Sequence, residues 1–266
     1  MKERMCIYVS SPKSYKDVFD VFYACKNKFW GDSRYRLVLS TNYEASYDGV
    51  HVINSHNIND TWVERSIYAL AEIEEKYIML LCDDLLISKR IDSRYFEHIL
   101  NFMDKNEVKF CRLKPLNSGK KIKGHNYLSW IKMNTPYGIN LQRGIYRKDY
   151  LISLLGDGLK SAWDIEAELL KESQNSSSNY FSDVIACNKN IFPVIHAVDK
   201  GKWLPKALCF LKHEHIVVNS SREKMSRIRA LSQDIKGGCS NMISPSFRKR
   251  IKRLLIKLGL KFTTKY

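Results

Sequence analysis

The chain contains no run of about 18 apolar residues, so nothing in it reads as a helix that crosses a bilayer. Its amino terminus has no apolar core of the length a secretory signal needs. Its seven cysteines are odd in number and include no Cys-x-x-Cys pair, which speaks against a disulfide framework and a zinc site. Cys6, Cys82 and Cys209 lie in apolar runs, where buried free thiols are ordinary, and a reducing cytoplasm is expected. Acids are also scarce: 28 Asp and Glu stand against 44 Lys and Arg, a formal charge of +16. That excess calls for an anionic partner such as a nucleotide, a nucleic acid or a membrane surface. Two segments, 112–132 and 245–266, hold no acid at all. No helix-turn-helix, RRM or zinc-finger pattern accompanies the charge, which argues against nucleic acid.

What is present suits one large α/β domain, or one domain plus a small appendage, in 266 residues, 44% hydrophobic and 12% aromatic. Residues 5–10 read as a buried strand and 35–40 and 49–53 as two more strands, and 15–29 between the first two carries Val18, Phe19, Phe22, Tyr23 and Phe29 at helical spacing. This β-α-β order predicts a mostly parallel sheet flanked by helices. Thr61 and Glu64 form a capping box, opening a helix to about residue 75 with Val63, Ile67, Leu70 and Ala71 on one stripe. Arg65 in its first turn reads as a solvated cation, or as one that reaches a phosphate. Helices are expected at 94–105, 150–155 and 204–213 and strands at 108–113, 139–146 and 191–198. Residues 112–132 read as a basic, mobile loop able to fold over a phosphorylated ligand.

The stretch with the strongest chemical content is Tyr77-Ile78-Met79-Leu80-Leu81-Cys82-Asp83-Asp84. A short apolar run suits a strand buried on both faces, and ligands of open α/β sheets bind beyond the carboxyl ends of such strands. Asp83 and Asp84 would stand there as two hard oxygen ligands for a divalent cation that also holds phosphates. Asp83 and Asp84 could equally start a turn or cap a helix. At the other end of the chain, Phe247, Ile251, Leu254, Leu255 and Leu258 form an apolar stripe among eight Lys and Arg in residues 245–266. The pattern is that of a helix lying in an anionic membrane interface, with 237–244 as linker and 1–236 as the catalytic domain.

Taken in order, several pieces resemble bacterial glycosyltransferases of the GT-A fold, of the group that builds O-antigen and capsule glycans. They are the opening strand with Ser10-Ser11, Trp62-Val63-Glu64-Arg65, the Asp83-Asp84 strand, Leu141-Gln142-Arg143-Gly144-Ile145-Tyr146, Trp163-Asp164-Ile165-Glu166 and Gly201-Lys202-Trp203. The resemblance runs from about Cys6 to Arg222 and implies a GT-A-like, Rossmann-like fold. It implies transfer of a sugar, with inversion, from a nucleotide-sugar donor of the UDP type to a lipid-linked oligosaccharide, at the inner face of the cytoplasmic membrane. It implies a Mn2+ or Mg2+ ion on Asp83 and Asp84, although the chain has Cys82-Asp83-Asp84 where that family has Asp-x-Asp. Ser10 and Arg65 would help hold the donor, Gln142 and Trp163 the sugar or acceptor. Glu166 matches the position of the family's general base. Asp164 is the other candidate, but it shares capping-box spacing with Ser161, whereas Glu166 has no evident local duty. A nucleotidyltransferase acting on a sugar phosphate remains an alternative, as does a nucleic-acid-binding protein.

Overall fold

The computed structural model describes residues 3–116 and 118–226. The linker 237–244 and the amphipathic segment 245–266 lie outside the described residues. The chain packs as two compact units, the larger formed by Met1–His196 with Ile216–Ser220, the smaller by Ala197–His215 with the segment that starts at Ser221.

The larger unit begins with β1 (Met5–Ser10), whose six residues are all buried. A 3-10 turn (Lys13–Tyr15) leads into α1 (Lys16–Trp30), followed by β2 (Leu37–Thr41), β3 (Val50–Asn54), α2 (Trp62–Glu72), β4 (Tyr77–Leu81) and β5 (Leu85–Ile87). Then come α3 (Arg94–Lys105), β6 (Phe110–Arg112), β7 (Lys120–Ile122), β8 (His125–Lys132), β9 (Gly144–Arg147), α4 (Lys148–Leu155), α5 (Ala162–Asn175), β10 (Tyr180–Cys187) and β11 (Val194–His196). Nine strands form one sheet in the order β3-β2-β1-β4-β9-β6-β10-β8-β7. Strands β3, β2, β1 and β4 are parallel neighbours, and β6 is parallel to β10. β9 runs against both β4 and β6, and β8 runs against β10 and β7. The expected α/β class, a mostly parallel sheet flanked by helices, is what the structure shows.

Each face of the sheet has its own packing. On one, Tyr8, Leu80, Phe110 and Tyr146 meet Val63 and Leu70 of α2, Leu151 of α4 and Ile165 of α5. On the other elements, Trp30 of α1 and Phe96 of α3 lie with ring centroids 5.1 Å apart, and Phe192 sits 5.9 Å from Trp30. Gly144 is where β9 crosses between neighbours: a Cβ there would run into the Phe110 ring and lie 3.1 Å from Tyr146.

Four expectations are corrected. Residues 112–132 are not a loop throughout; 120–122 and 125–132 pair as a hairpin on the sheet edge, turning at Gly124 with φ 82°. Its alternation of Tyr127, Ser129 and Ile131 with Leu128 and Trp130 was masked by the lysines. The strand expected at 139–146 is shifted to 144–147 and runs antiparallel. β10 was not foreseen. On α2 the buried face is Val63, Arg65, Ser66, Ala69 and Leu70, whereas Ala71 points outward. The polar members explain the shift: Ser66 Oγ accepts from Tyr8 Oη at 3.0 Å, and Arg65 is buried for reasons given below.

The smaller unit holds β12 (Val198–Asp199), β13 (Lys202–Trp203) and α6 (Pro205–His213). Val198 pairs with Trp203 and Asp199 with Lys202, leaving Lys200-Gly201 as a two-residue turn. Both turn residues have positive φ, 50° and 74°, as a tight hairpin of this twist demands. Pro205 opens α6, where a missing N–H costs nothing. Cys209, expected to be buried, is exposed on that helix.

Candidate active site

The carboxyl ends of β1, β2 and β4 leave a crevice, and a cavity of about 920 Å³ opens there. Ser10, Lys13, Asn42, Arg65, Asp83, Asp84 and Trp163 all line it. Five of the residues singled out from sequence, Ser10, Arg65, Asp83, Asp84 and Trp163, are thus brought to one place.

The floor is a buried ion pair. The Thr61–Glu64 capping box is made in both directions, fixing the first turn of α2. That turn aims Arg65 inward, against the expectation of a solvated cation: Arg65 pairs with Asp60, and each side chain is only 3% exposed. Arg65 Nε also donates to Ser10 Oγ at 3.0 Å, and Asn42 Nδ2 donates to Asp60 at 3.2 Å. The charge of Arg65 is therefore answered within the fold.

The two carboxylates beyond β4 have different surroundings. Asp83 is 8% exposed and accepts from Ser11 Oγ at 2.6 Å. Asp84 is more open and lies 2.7 Å from Nε2 of His196. The placement of His196 follows from backbone pairing: β11 runs against β5, and His196 is opposite Leu85, the residue after Asp84. Cys82, between β4 and the pair, has its thiol pushed well up by burial, and then by the carboxylates of Asp84, Asp83 and Glu166. With no cation beside those carboxylates it stays a neutral thiol, unsuited as a nucleophile.

With Arg65 paired to Asp60, the carboxylates that line the cavity beyond β4 are Asp83 and Asp84, beside the ammonium of Lys13. Such a site suits a divalent cation, and the cation would in turn suit a diphosphate. Among the described residues no group of three or more His, Cys, Asp or Glu forms a closed metal cage. Asp84 and His196 together offer one carboxylate oxygen and one imidazole nitrogen, a pair that leaves coordination positions for substrate oxygens. That donor set fits Mn2+ better than Mg2+, since imidazole is a poor partner for the harder ion.

No family model matches the chain, and no curated protein matches it. Among solved structures it is similar to S. aureus TarS 1-349, with 14% identity over 69% of this chain and 60% of that one, and a TM-score of 0.41. It is similar to the same fragment in complex with UDP-GlcNAc, with 13% identity, 92% and 78% covered, and a TM-score of 0.39. It is also similar to a cytidylyltransferase from Leptospira borgpetersenii, with 12% identity, 91% and 100% covered, and a TM-score of 0.40. Against the longer TarS structure it spans 46% of that chain. Identities and scores of this size assign neither activity.

Asp164, Glu166 and Gln142 are not among the residues that line the cavity. Asp164 is the capping acid of α5: Ser161 holds it through both a side-chain and a backbone hydrogen bond, which keeps its carboxyl below the usual range. Glu166, read as lacking a local duty, has one. Its Oε1 accepts from the Leu141 backbone N–H at 2.9 Å, tying α5 to the approach of β9. No other described residue bonds Glu166, so Oε2 is uncommitted. The charge of Glu166 is the smallest of those that raise the Cys82 thiol. Gln142 is exposed and does not line the cavity, whereas Trp163 is 81% exposed at its rim. Sequence reasoning missed His196, Asp60 and the role of Ser11. Only Ser11 had a visible signal, as the second serine of Ser10-Ser11.

Proposed function

We propose that this protein is a glycosyltransferase of the GT-A-like kind, moving a hexosyl group from a UDP-type nucleotide-sugar donor to an acceptor hydroxyl with inversion. The observation that supports this is the pair of adjacent carboxylates, Asp83 and Asp84, lining the cavity at the carboxyl end of β4, with His196 beside Asp84. Asp84 and His196, with Asp83 behind them, would hold Mn2+ or Mg2+. When bound, that ion supplies charge neutralisation for the leaving diphosphate. Ser10 and Lys13 line the donor side, and Trp163 offers an aromatic face at the rim on which a sugar ring can stack. The acceptor oxygen attacks the anomeric carbon, the bond from that carbon to the diphosphate oxygen breaks, and Glu166 takes the hydroxyl proton on Oε2. Asp164 is the weaker candidate for that role, because its carboxylate is already used as a cap, and Gln142 would orient the acceptor from outside the cavity.

The acceptor in this reading is a lipid-linked oligosaccharide of bacterial surface polysaccharide synthesis, of the O-antigen or capsule type. Residues 245–266 would bring the enzyme to the inner face of the cytoplasmic membrane, and no described helix is long and apolar enough to cross one. Calorimetric titration with UDP, with and without Mn2+, tests the donor half, and tightening by the metal is expected. A screen of sugar nucleotides with mass spectrometry of products tests the rest. Pyrophosphate released from CTP and a sugar phosphate, with no transfer from any sugar nucleotide, would replace this reading with a nucleotidyltransferase.

A further inference from the structure

A second charged group sits on the same sheet edge and is used by nothing above. Register places it: Leu80 of β4 is opposite Gly144 of β9, and Gly144 is opposite Arg112 of β6. Arg112, the last residue of β6, is thus two strand positions from β4, about 10 Å across the sheet at the usual strand spacing. Arg143 immediately precedes β9 at this edge, and Lys114 follows β6 by two residues.

Arg112 is 8% exposed, and its buried Nε has no hydrogen-bond partner. Arg143 gives one N–H to the Phe192 carbonyl at 3.0 Å. No acid among the described residues answers Arg112, Arg143 or Lys114. Loss of hydration lowers the proton affinity of all three, although only Arg112 is fully buried; Arg112 further lowers that of Arg143, and both arginines lower that of Lys114. Buried cations are normally paired, and an unpaired donor in such a place costs stability. Arg65 on the same edge has its acid; buried Arg112 does not, and neither do half-buried Arg143 and exposed Lys114 beside it. A planar guanidinium with free donors is suited to bind phosphate oxygens in bidentate fashion.

We infer that Arg112, Arg143 and Lys114 form a subsite for a phosphate group of the acceptor, next to but distinct from the donor's diphosphate site at Asp84. The word acceptor rests on the function proposed above; the anion site itself rests only on these residues. Its phosphate could belong to a phosphodiester within a glycan or to the diphosphate that joins a glycan to a lipid.

The test uses the full chain, with inorganic phosphate and pyrophosphate as probes, by thermal melting and calorimetry at saturating UDP and without it. Each probe is expected to raise the Tm of the wild type whether or not UDP is present. The rise should disappear in Arg112→Gln/Arg143→Gln, with UDP affinity changed less than about twofold, and binding should weaken by about tenfold. Tighter binding of pyrophosphate points to the lipid diphosphate, equal or tighter binding of phosphate to a phosphodiester, and either supports the subsite. In anion-free buffer Arg112→Gln should melt no lower than wild type, because an uncompensated buried cation has been removed; a purely structural arginine would lower Tm. Should the double variant not fold, Lys114→Gln, at an exposed position, is expected to weaken probe binding by a smaller factor. The proposal is overturned if neither probe binds wild type, if the variants bind as wild type does, or if UDP displaces the probe. Failure to bind UDP with intact probe binding would sink the donor reading and leave the anion site standing.

Discussion

Nε2 of His196 lies 2.7 Å from Oδ2 of Asp84, joining the end of β11 to the residue before β5. The contact puts an imidazole beside the more open of the two carboxylates at the cavity. If both residues hold the cation, His196→Ala and Asp84→Asn should each remove the Mn2+-dependent part of UDP binding, by roughly tenfold or more. Turnover should fall further in Asp84→Asn, since several kcal/mol of charge stabilisation would be lost. Calorimetry with and without Mn2+ checks the first statement, and product formation the second.

Arg65 and Asp60 make a different kind of pair. Both are almost fully buried, so removing one leaves an uncompensated charge. Arg65→Met should destabilise the fold by about 3–5 kcal/mol in urea unfolding, with Arg65→Met/Asp60→Asn closer to wild type than the sum of the single changes.

Glu166→Gln separates a structural from a catalytic carboxylate. The amide oxygen can still accept from Leu141 N–H, so thermal stability should hardly change. As general base, Glu166 is expected to be worth roughly 10²–10⁴ in kcat, with donor binding preserved. Loss of stability equal to that of Glu166→Ala, with unchanged kcat per folded molecule, would confine Glu166 to tying α5 to Leu141.

How much of this was legible in the sequence depends on the reach of each signal. β1 and α3 were readable to the residue, because an unbroken apolar run and a helical period are local. The two capping boxes were equally local, and the structure makes both. The β7–β8 hairpin was hidden because its lysines outweighed the alternation beneath them. His196 could not be found, since its meaning depends on the antiparallel pairing of β11 with β5, which are more than a hundred residues apart. Arg65 looked solvated partly for the same reason, since Ser10 is 55 residues away; Asp60 is only five residues before it, but the inward turn that pairs them is not written in the local pattern.

The Cys82 thiol gives a prediction about pH. Burial and three carboxylates push its ionisation far above the ordinary thiol range. At pH 8 it should react with iodoacetamide much more slowly than exposed Cys209, and the difference should vanish in denaturant. Peptide mapping after timed alkylation measures both rates.

Asp104 gives the opposite sign. Burial raises its carboxyl, but hydrogen bonds from Lys76, Tyr77 and Arg4 outweigh that and hold it below its ordinary value. A depressed folded-state value stabilises above the unfolded one and is lost as pH falls through the folded one. Asp104→Asn should therefore cost about 1–2 kcal/mol at neutral pH, and the gap to wild type should close below about pH 4.

The sheet ends on one side at β7, a three-residue strand whose Lys120 and Lys121 are exposed. A terminal strand leaves backbone groups that another chain can extend, and short length with lysines on it is how such an edge is blunted. Lys120 and Lys121 put two charges where a tenth strand borrowed from a second molecule would have to pair. Their replacement by β-branched apolar residues would be expected to show first as turbidity at high protein concentration, before any change in ligand binding.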